Sequence, residues 1–123
     1  MQKALIIDDS EPNRRLPALI LGQLGWATAE AENGYSALEA VQRERFDCIL
    51  LDILLPDLQG DEVCRRLRDH PLNGSTWIVA YTAESPEQFA EVTARCRFDA
   101  LLTKPITRKS LINALPPQAE PHK

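Results

Sequence analysis

The stretch LIIDDSEP, residues 5–12, joins an uninterrupted apolar run to two adjacent aspartates. An apolar run without polar alternation is typical of a β-strand that is buried on both faces. Four such runs and one weaker run occur along the chain. They span Ala4–Ile7, Cys48–Leu51, Trp77–Tyr81 and Ala100–Thr103, with the weaker run at Trp26–Ala29. The chain is therefore expected to form five strands.

Segments with a helical spacing of apolar residues separate the predicted strands. They centre on residues 16–24, 37–41, 63–67, 89–96 and 111–115. Regular alternation of strand and helix predicts parallel strands joined by right-handed crossovers. We therefore predict an α/β fold, a doubly wound five-stranded parallel sheet with helices on both faces and flavodoxin-like topology. Pro17 falls inside the first helix, so that helix is expected to start late or to bend.

Length and composition indicate one domain with a proline-rich end. The chain has 123 residues and 44% of them are hydrophobic, which is enough for a single core. We place the domain at residues 1–115. Residues 116–123, PPQAEPHK, are expected to form a flexible tail because three prolines interrupt any helical or strand pattern.

Charge, hydropathy and cysteine content narrow the functional classes. A formal net charge of -4 disfavours nucleic-acid binding, which needs a clustered basic face. No apolar stretch approaches the roughly 18 residues of a membrane span, so we expect a cytoplasmic protein. Cys48, Cys64 and Cys96 are widely and unequally spaced, and we interpret them as reduced packing residues. Arg14 and Arg15 are interpreted as part of a solvated face.

Chemistry-bearing residues follow four of the five predicted strands. Ligands of an open parallel sheet lie beyond the carboxyl ends of its strands. Three carboxylates therefore converge with one hydroxyl and one ammonium group. These residues are Asp8, Asp9, Asp52, Thr82 and Lys104. Two carboxylates about 4 Å apart repel by about 4 kcal/mol at an effective dielectric near 20, so a cation is expected among them. Oxygen ligands favour a hard ion, and we predict Mg²⁺.

The same residues predict phosphoryl chemistry. Mg²⁺ held by carboxylates with open positions commonly binds phosphate oxygens. Asp52 ends the apolar run DCILLD and is the candidate nucleophile, because an aspartate can form an acyl phosphate. Lys104 would contribute a positive charge to one phosphoryl oxygen and Thr82 a hydroxyl donor to another. Pro105 makes the preceding peptide bond a candidate for the cis form.

Four motifs together resemble the receiver domain of two-component response regulators. They are DD at 8–9, LLDILLPDLQG at 50–60, YTA at 81–83 and LLTKP at 101–105, in the family's order. The resemblance covers about residues 3–115. It implies that the phosphohistidine of a histidine kinase or histidine phosphotransfer protein phosphorylates Asp52. It also implies that the backbone carbonyl of Leu54 completes the Mg²⁺ shell.

The resemblance further implies a signalling phosphoacceptor that catalyses only its own phosphorylation and dephosphorylation. Phosphorylation would switch binding to a downstream protein or a fused output domain, with no direct nucleic-acid or membrane contact. In receivers, the hydroxyl matching Thr82 moves toward the phosphoryl group and an aromatic residue rotates inward. Leu101 occupies that aromatic position, so this sequence departs from the pattern. The output surface is expected over residues 86–115.

Three residues beside the phosphoacceptor are expected to control access to it. Leu54 cannot hydrogen-bond an attacking water, Glu84 could shield the phosphoryl group, and Ala83 leaves the donor's path open. We therefore predict a longer-lived phosphoryl group than in receivers with an amide side chain at the Leu54 position.

Two alternatives stay open on the sequence alone. The first is an unphosphorylated pseudo-receiver that serves as an interaction module, which the missing aromatic residue favours. The second is a metal-dependent aspartyl phosphatase or phosphotransferase. Such enzymes need a second aspartate two residues after the nucleophile, and Leu54 occupies that place.

Overall fold

The structure, a computed structural model, describes residues 2–82, 87, 90–91, 94 and 96–117. Its strands are β1 (Lys3–Ile7), β2 (Ala27–Ala31), β3 (Cys48–Asp52), β4 (Trp77–Thr82) and β5 (Ala100–Thr103). Its helices with defined bounds are α1 (Glu11–Gln23), α2 (Gly34–Arg43), α3 (Gly60–Asp69) and a C-terminal helix (Arg108–Ala114).

The five strands form one parallel sheet in the order β2-β1-β3-β4-β5. The chain moves outward from β1 to β2, returns to β3 on the other side, and then continues outward. The direction of winding therefore reverses between β1 and β3, and their carboxyl ends flank the crevice where ligands bind in such sheets. The predicted doubly wound α/β fold is confirmed.

Helices cover both faces of the sheet. On one face, alternate strand residues such as Ile6 and Leu50 pack against α1 and the C-terminal helix. On the other face, neighbouring residues such as Leu5 and Ile49 pack against α2 and α3. The two apolar clusters explain why the strand sequences lack polar alternation, because both faces of the sheet are buried.

The second strand lies later than predicted. The run Trp26–Ala29 was expected to form it, whereas β2 spans Ala27–Ala31. Trp26 belongs to the helix end, since its amide donates to the Leu21 carbonyl at 2.9 Å. Gly25, with φ at 92°, reverses the chain between the two elements. Strand β2 lies at the edge of the sheet, and most of its residues are only partly buried. Its sequence is therefore less apolar than that of an inner strand, and apolar content alone did not give its bounds.

Helix α1 starts early despite its prolines. Ser10 caps it by accepting a hydrogen bond from the Asn13 amide at 3.4 Å, and Pro12 lies in the first turn. The late start is therefore wrong, whereas the alternative of a bend stays a prediction, and Pro17 lies buried inside the helix. Burial against the sheet offsets the backbone donor that proline lacks.

Some predicted features fall outside the described residues. In the segment predicted as the fourth helix, Glu87, Ala90 and Glu91 are helical, while Phe89 and Val92 are not described. Residues 118–123 of the predicted tail are likewise not described. Within the described part of the chain, no helix is both long and apolar enough to cross a membrane.

Candidate functional site

Strand alternation directs Asp8 and Asp52 to one face of the sheet. Successive strand residues point to opposite faces, and the face covered by α1 and the C-terminal helix receives Ala4, Ile6, Cys48 and Leu50. Continuing each strand by two residues reaches Asp8 after β1 and Asp52 at the end of β3. The two aspartates therefore lie on the same face of the sheet as this apolar cluster, just beyond its end.

The three predicted acidic residues form a cluster. Asp8, Asp9 and Asp52 each offer a carboxylate oxygen, and these oxygens lie within 4.8 Å of one another. Asp8 has no exposed surface and Asp52 has 4%, whereas Asp9 is exposed. Two carboxylates are thus buried at the end of adjacent strands, and the third faces solvent beside them.

Lys104 joins the two buried carboxylates. Its Nζ atom lies 3.0 Å from Asp8 Oδ2 and 3.1 Å from Asp52 Oδ2. The lysine follows β5, which lies two strands from β3, and its peptide bond to Pro105 is cis. The three carboxylates and one ammonium leave a local charge of about −2 when all are ionised. This excess negative charge suits a divalent cation with oxygen ligands.

The two buried carboxyl groups have opposite pKa shifts. Burial alone would raise the pKa of Asp8, but hydrogen bonds from the Ser10 amide, Lys104 and Tyr81 outweigh it and lower that pKa. At Asp52 burial prevails and raises the pKa, although the Leu54 amide and Lys104 act against it. The pKa of Lys104 is raised, because its two carboxylate partners outweigh its burial.

Tyr81 is a site residue that the sequence analysis missed. Its hydroxyl donates a hydrogen bond of 2.9 Å to Asp8 Oδ2, although β3 separates its strand from β1. Lys104 Nζ lies 4.9 Å from the centre of its ring, within cation–π range. Burial, with Asp8 next to it, raises the pKa of Tyr81 and keeps its hydroxyl protonated. A buried tyrosine hydroxyl requires a hydrogen-bond partner, and that requirement was the available signal.

Arg14 also belongs to the surroundings of the site. Its Nη1 atom donates to the backbone carbonyl of Asp8 at 2.7 Å, and its Nε atom pairs with Glu30 at 2.8 Å. Only 13% of its side chain is exposed. Its interpretation as part of a solvated face is therefore wrong. It anchors the acidic loop to α1 and β2, whereas the side chain of Arg15 is largely exposed.

The loop after β3 is fixed to the site and to α2. The Leu54 amide donates to Asp52 Oδ1 at 2.9 Å, and Leu54 forms an isolated β-bridge with Gln59. Asp57 accepts hydrogen bonds from the Gly34 and Tyr35 amides at 2.8 and 2.9 Å, at the start of α2. Leu54 is 54% exposed, two residues after Asp52 in the chain.

Of the remaining predicted site residues, the structure describes Thr82 and Leu101. Thr82 is the last residue of β4 and pairs with Thr103 of β5. Leu101 lies on β5 and 55% of it is exposed. Ala83 and Glu84 lie outside the described residues.

The arrangement combines a buried carboxylate, an ammonium group and a cluster of three carboxylates that could share one cation. Asp52 is buried and Lys104 holds one of its oxygens, while a solvent-facing carboxylate lies nearby. Such a set can bind a phosphoryl group, neutralise its oxygens and accept it on a carboxylate.

Comparisons with known proteins are consistent with this chemistry. The family model for the response regulator receiver domain matches residues 4–116. Hybrid signal transduction histidine kinase E of Dictyostelium discoideum is 39% identical over 119 residues, which are 93% of this chain and 7% of that protein. The chain therefore spans only a small part of this relative.

Two solved structures share the fold over most of the chain. The chemotaxis response regulator CheY4 of Vibrio cholerae has a TM-score of 0.85 and 27% identity, covering 92% of this chain and 94% of that one. The receiver domain of sensor histidine kinase PA1611 from Pseudomonas aeruginosa has a TM-score of 0.84 and 28% identity, covering 91% and 92%. That structure has a magnesium ion coordinated in its active-site cleft.

Proposed function

The chain belongs to the response regulator receiver domain family of two-component systems, and from this we propose that it accepts a phosphoryl group on Asp52. The observation that most supports the proposal is the position of Lys104 Nζ, within 3.1 Å of both Asp8 and Asp52. An ammonium in this place holds the nucleophile and remains available to an added phosphoryl oxygen. Relatives in the family are signalling phosphoacceptors rather than enzymes with an external substrate.

Asp52 would act as the nucleophile. One of its carboxylate oxygens attacks the phosphorus of a phosphohistidine on a histidine kinase or histidine phosphotransfer protein. The phosphorus–nitrogen bond breaks, and the donor imidazole takes up a proton. Lys104 then pairs with a phosphoryl oxygen, and we assign Thr82 the donor to another. Ala83 and Glu84 are proposed to set access to this group.

We propose that the residues holding Mg²⁺ are Asp8, Asp9, Asp52 and the backbone carbonyl of Leu54. Receiver domains bind Mg²⁺ in their acidic cluster, and the three carboxylates here offer oxygens close enough to share one ion. A bound Mg²⁺ would neutralise the phosphoryl oxygens during transfer. Asp9 has the exposed carboxylate of the set, so an ion would enter from its side.

An open pocket next to Lys104 is the surface that we assign to a partner protein. This pocket, of about 330 Å³, is lined mainly by apolar residues of α1 and of the segment after β5, such as Leu16 and Ile106, together with Tyr81 and Lys104. We propose that the phosphodonor protein contacts this surface, and that output passes to a downstream protein or a fused output domain. We also propose that the receiver domain ends near residue 115.

Treatment of the full chain with Mg²⁺ and acetyl phosphate tests the phosphoacceptor. We expect a mass increase of about 80 Da, the mass of one added phosphoryl group, in the parent chain. The variant Asp52→Ala should not gain this mass, while Asp69→Ala, which removes an exposed carboxylate on α3, should gain it as the parent does. A chain that stays unmodified, or an Asp52→Ala variant that is modified equally, would refute the proposal.

Thermal unfolding tests the metal site without phosphorylation. A ligand that binds only the folded chain raises its melting temperature as ligand concentration rises. We expect Mg²⁺ to raise the melting temperature of the parent and to have little effect on Asp9→Asn, whose side chain is exposed and outside the core. An equal rise in both proteins would place the Mg²⁺ elsewhere.

A pseudo-receiver that is never phosphorylated is the second candidate. The exposed Leu101, at the position where receivers carry an aromatic switch residue, favours this function. In that case Mg²⁺ and acetyl phosphate would leave the mass of the parent unchanged.

A further inference from the structure

Two cysteines that are distant in sequence meet outside the acidic site. The Sγ atoms of Cys64 and Cys96 lie 2.8 Å apart, although the residues are 32 positions apart in the chain. Cys64 belongs to α3, and Cys96 precedes β5. Both thiols are free. A disulfide requires about 2.05 Å between its sulfurs, so closure needs a movement of less than about 1 Å.

Hydrogen bonds fix the surroundings of this pair. Cys64 Sγ donates to the Arg97 carbonyl at 3.3 Å, and Arg68 donates to the same carbonyl at 3.0 Å. Arg68 also pairs with Asp99 at 2.8 Å and donates to the Thr76 carbonyl at 2.6 Å. The segment that carries Cys96 is therefore held against α3 by contacts other than the thiols themselves.

The two thiols differ in their access to solvent. Cys96 is half-buried, whereas Cys64 has no exposed surface and packs in the cluster beneath α2 and α3. Burial raises the pKa of the Cys64 thiol, so it remains protonated at neutral pH. An oxidant in solution therefore meets Cys96 first, and Cys64 is positioned to react second.

We propose that Cys64 and Cys96 form a redox modification site, at which a peroxide converts the two thiols into an intramolecular disulfide. In the first step the Cys96 sulfur attacks one peroxide oxygen, giving a sulfenic acid and one water when the oxidant is hydrogen peroxide. In the second step the Cys64 sulfur attacks the Cys96 sulfur, and the departing hydroxide takes up the Cys64 proton as a second water. The two sulfurs lose two electrons, and the peroxide gains them.

The disulfide would tie α3 to the segment before β5. This segment lies at the amino end of β5, whereas Lys104 follows its carboxyl end, so the bond leaves the acidic site in place. It would close a covalent loop that contains β4 and residues 86–95 of the expected output surface. Oxidation therefore restrains that loop independently of phosphorylation at Asp52.

Oxidation of the full chain with hydrogen peroxide tests the proposal. After denaturation and treatment with iodoacetamide, the reduced chain should carry three alkylated cysteines and the oxidised chain one, with a peptide map linking Cys64 to Cys96. Closing a loop of this length should raise the melting temperature by about 10 °C, and dithiothreitol should reverse the rise.

Variants separate this bond from other oxidation products. Cys96→Ser replaces the half-buried thiol and should abolish both the link and the rise in melting temperature. Cys48→Ala keeps both partners and should retain the link. Over-oxidation of Cys96 while Cys64 stays alkylatable, or a link between two chains, would overturn the proposal.

Discussion

Tyr81 contributes a buried hydroxyl to the acidic site. Its ring lies in the apolar cluster beneath α1, and its hydroxyl reaches Asp8 from two strands away. The sequence placed this residue next to Thr82 but gave no reason to connect it with the aspartates. Its partner depends on the spacing of three strands in the folded sheet, which no local pattern contains.

Replacing Tyr81 with phenylalanine removes the hydroxyl and retains the ring. We expect a loss of about 1.5–3 kcal/mol in the free energy of unfolding at pH 7, because the lost bond was made to an ionised acceptor. The pKa of Asp8 is lowered in the fold, so its contribution is present above about pH 4 and is lost as pH falls through the folded pKa.

Chemical denaturation of Tyr81→Phe at pH 7 and near pH 3 measures this difference. The loss should be smaller at the lower pH. The control Tyr35→Phe removes a hydroxyl from an exposed ring and should change the free energy of unfolding by less than about 0.5 kcal/mol. A loss at Tyr81 that does not depend on pH would contradict the assigned role of Asp8.

Leu54 is the residue at which we expect the lifetime of the phosphoryl group to be set. Its amide donates to Asp52, and its exposed side chain offers no hydrogen bond to water. On the proposed function, Leu54→Asn should shorten the half-life of the phosphorylated chain by about tenfold, which corresponds to about 1.4 kcal/mol in the barrier. The half-life is measured by intact mass after removal of acetyl phosphate.

The exposed Leu72 supplies the matched control for this measurement. Leu72→Asn makes the same chemical change away from the acidic cluster and should leave the half-life as in the parent. Faster decay in the parent than in Leu54→Asn would reverse the expected order and refute the hypothesis.

At the scale of elements, Gly60 marks where α3 approaches the segment directly after β3. Gly60 begins α3, and its amide donates to the Ile53 carbonyl at 3.1 Å. A Cβ at this position would lie 2.5 Å from the Cα atom of Ile53. Gly22, inside α1, has open space where its Cβ would be. The sequence offers no means of distinguishing these two glycines, since the approach of helix to strand is a tertiary contact.

The substitutions Gly60→Ala and Gly22→Ala should therefore act in opposite directions. Gly60→Ala should lower the free energy of unfolding by more than about 2 kcal/mol, because backbone atoms must move to admit the methyl group. Gly22→Ala should raise it by about 0.5–1 kcal/mol, because alanine loses less backbone entropy in a helix. Urea denaturation of the two variants and the parent checks the order, and a stabilised Gly60→Ala variant would contradict the packing described for α3.

For the whole molecule, the buried charge of Asp52 should cost stability. Burial raises its pKa, so the folded chain holds the proton more tightly than the unfolded chain. Stability from this group is therefore present below the unfolded pKa, near 3.8, and declines as pH rises through the folded pKa. A neutral side chain at this position avoids the decline.

We expect Asp52→Asn to raise the free energy of unfolding at pH 7 by about 1 kcal/mol, because a neutral amide avoids the cost of burying a charge that Lys104 only partly offsets. The gain should shrink as pH falls through the raised pKa of folded Asp52 and should vanish below the unfolded pKa near 3.8. Denaturation at several pH values measures this trend. Glu39→Gln on the exposed surface of α2 is the control and should change stability by less than about 0.5 kcal/mol. A gain that persists unchanged at pH 3 would exclude charge as its cause.

The sequence by itself determined the fold class, a doubly wound parallel sheet. It also determined that Asp8, Asp9, Asp52 and Lys104 converge at one edge of that sheet. Apolar runs and helical spacing are local patterns, and parallel strands bring their carboxyl ends to one edge without further information. Even so, the bounds of β2 were misplaced because an edge strand is only half-buried.

Only the tertiary structure decided which side chains meet across that framework. The Tyr81 hydroxyl on Asp8, the Arg14 guanidinium on the Asp8 carbonyl and the contact of Cys64 with Cys96 each join residues from different elements. Their distances depend on sheet order, strand spacing and helix docking together. Those quantities arise from packing of the whole chain, and so no short stretch of sequence contains them.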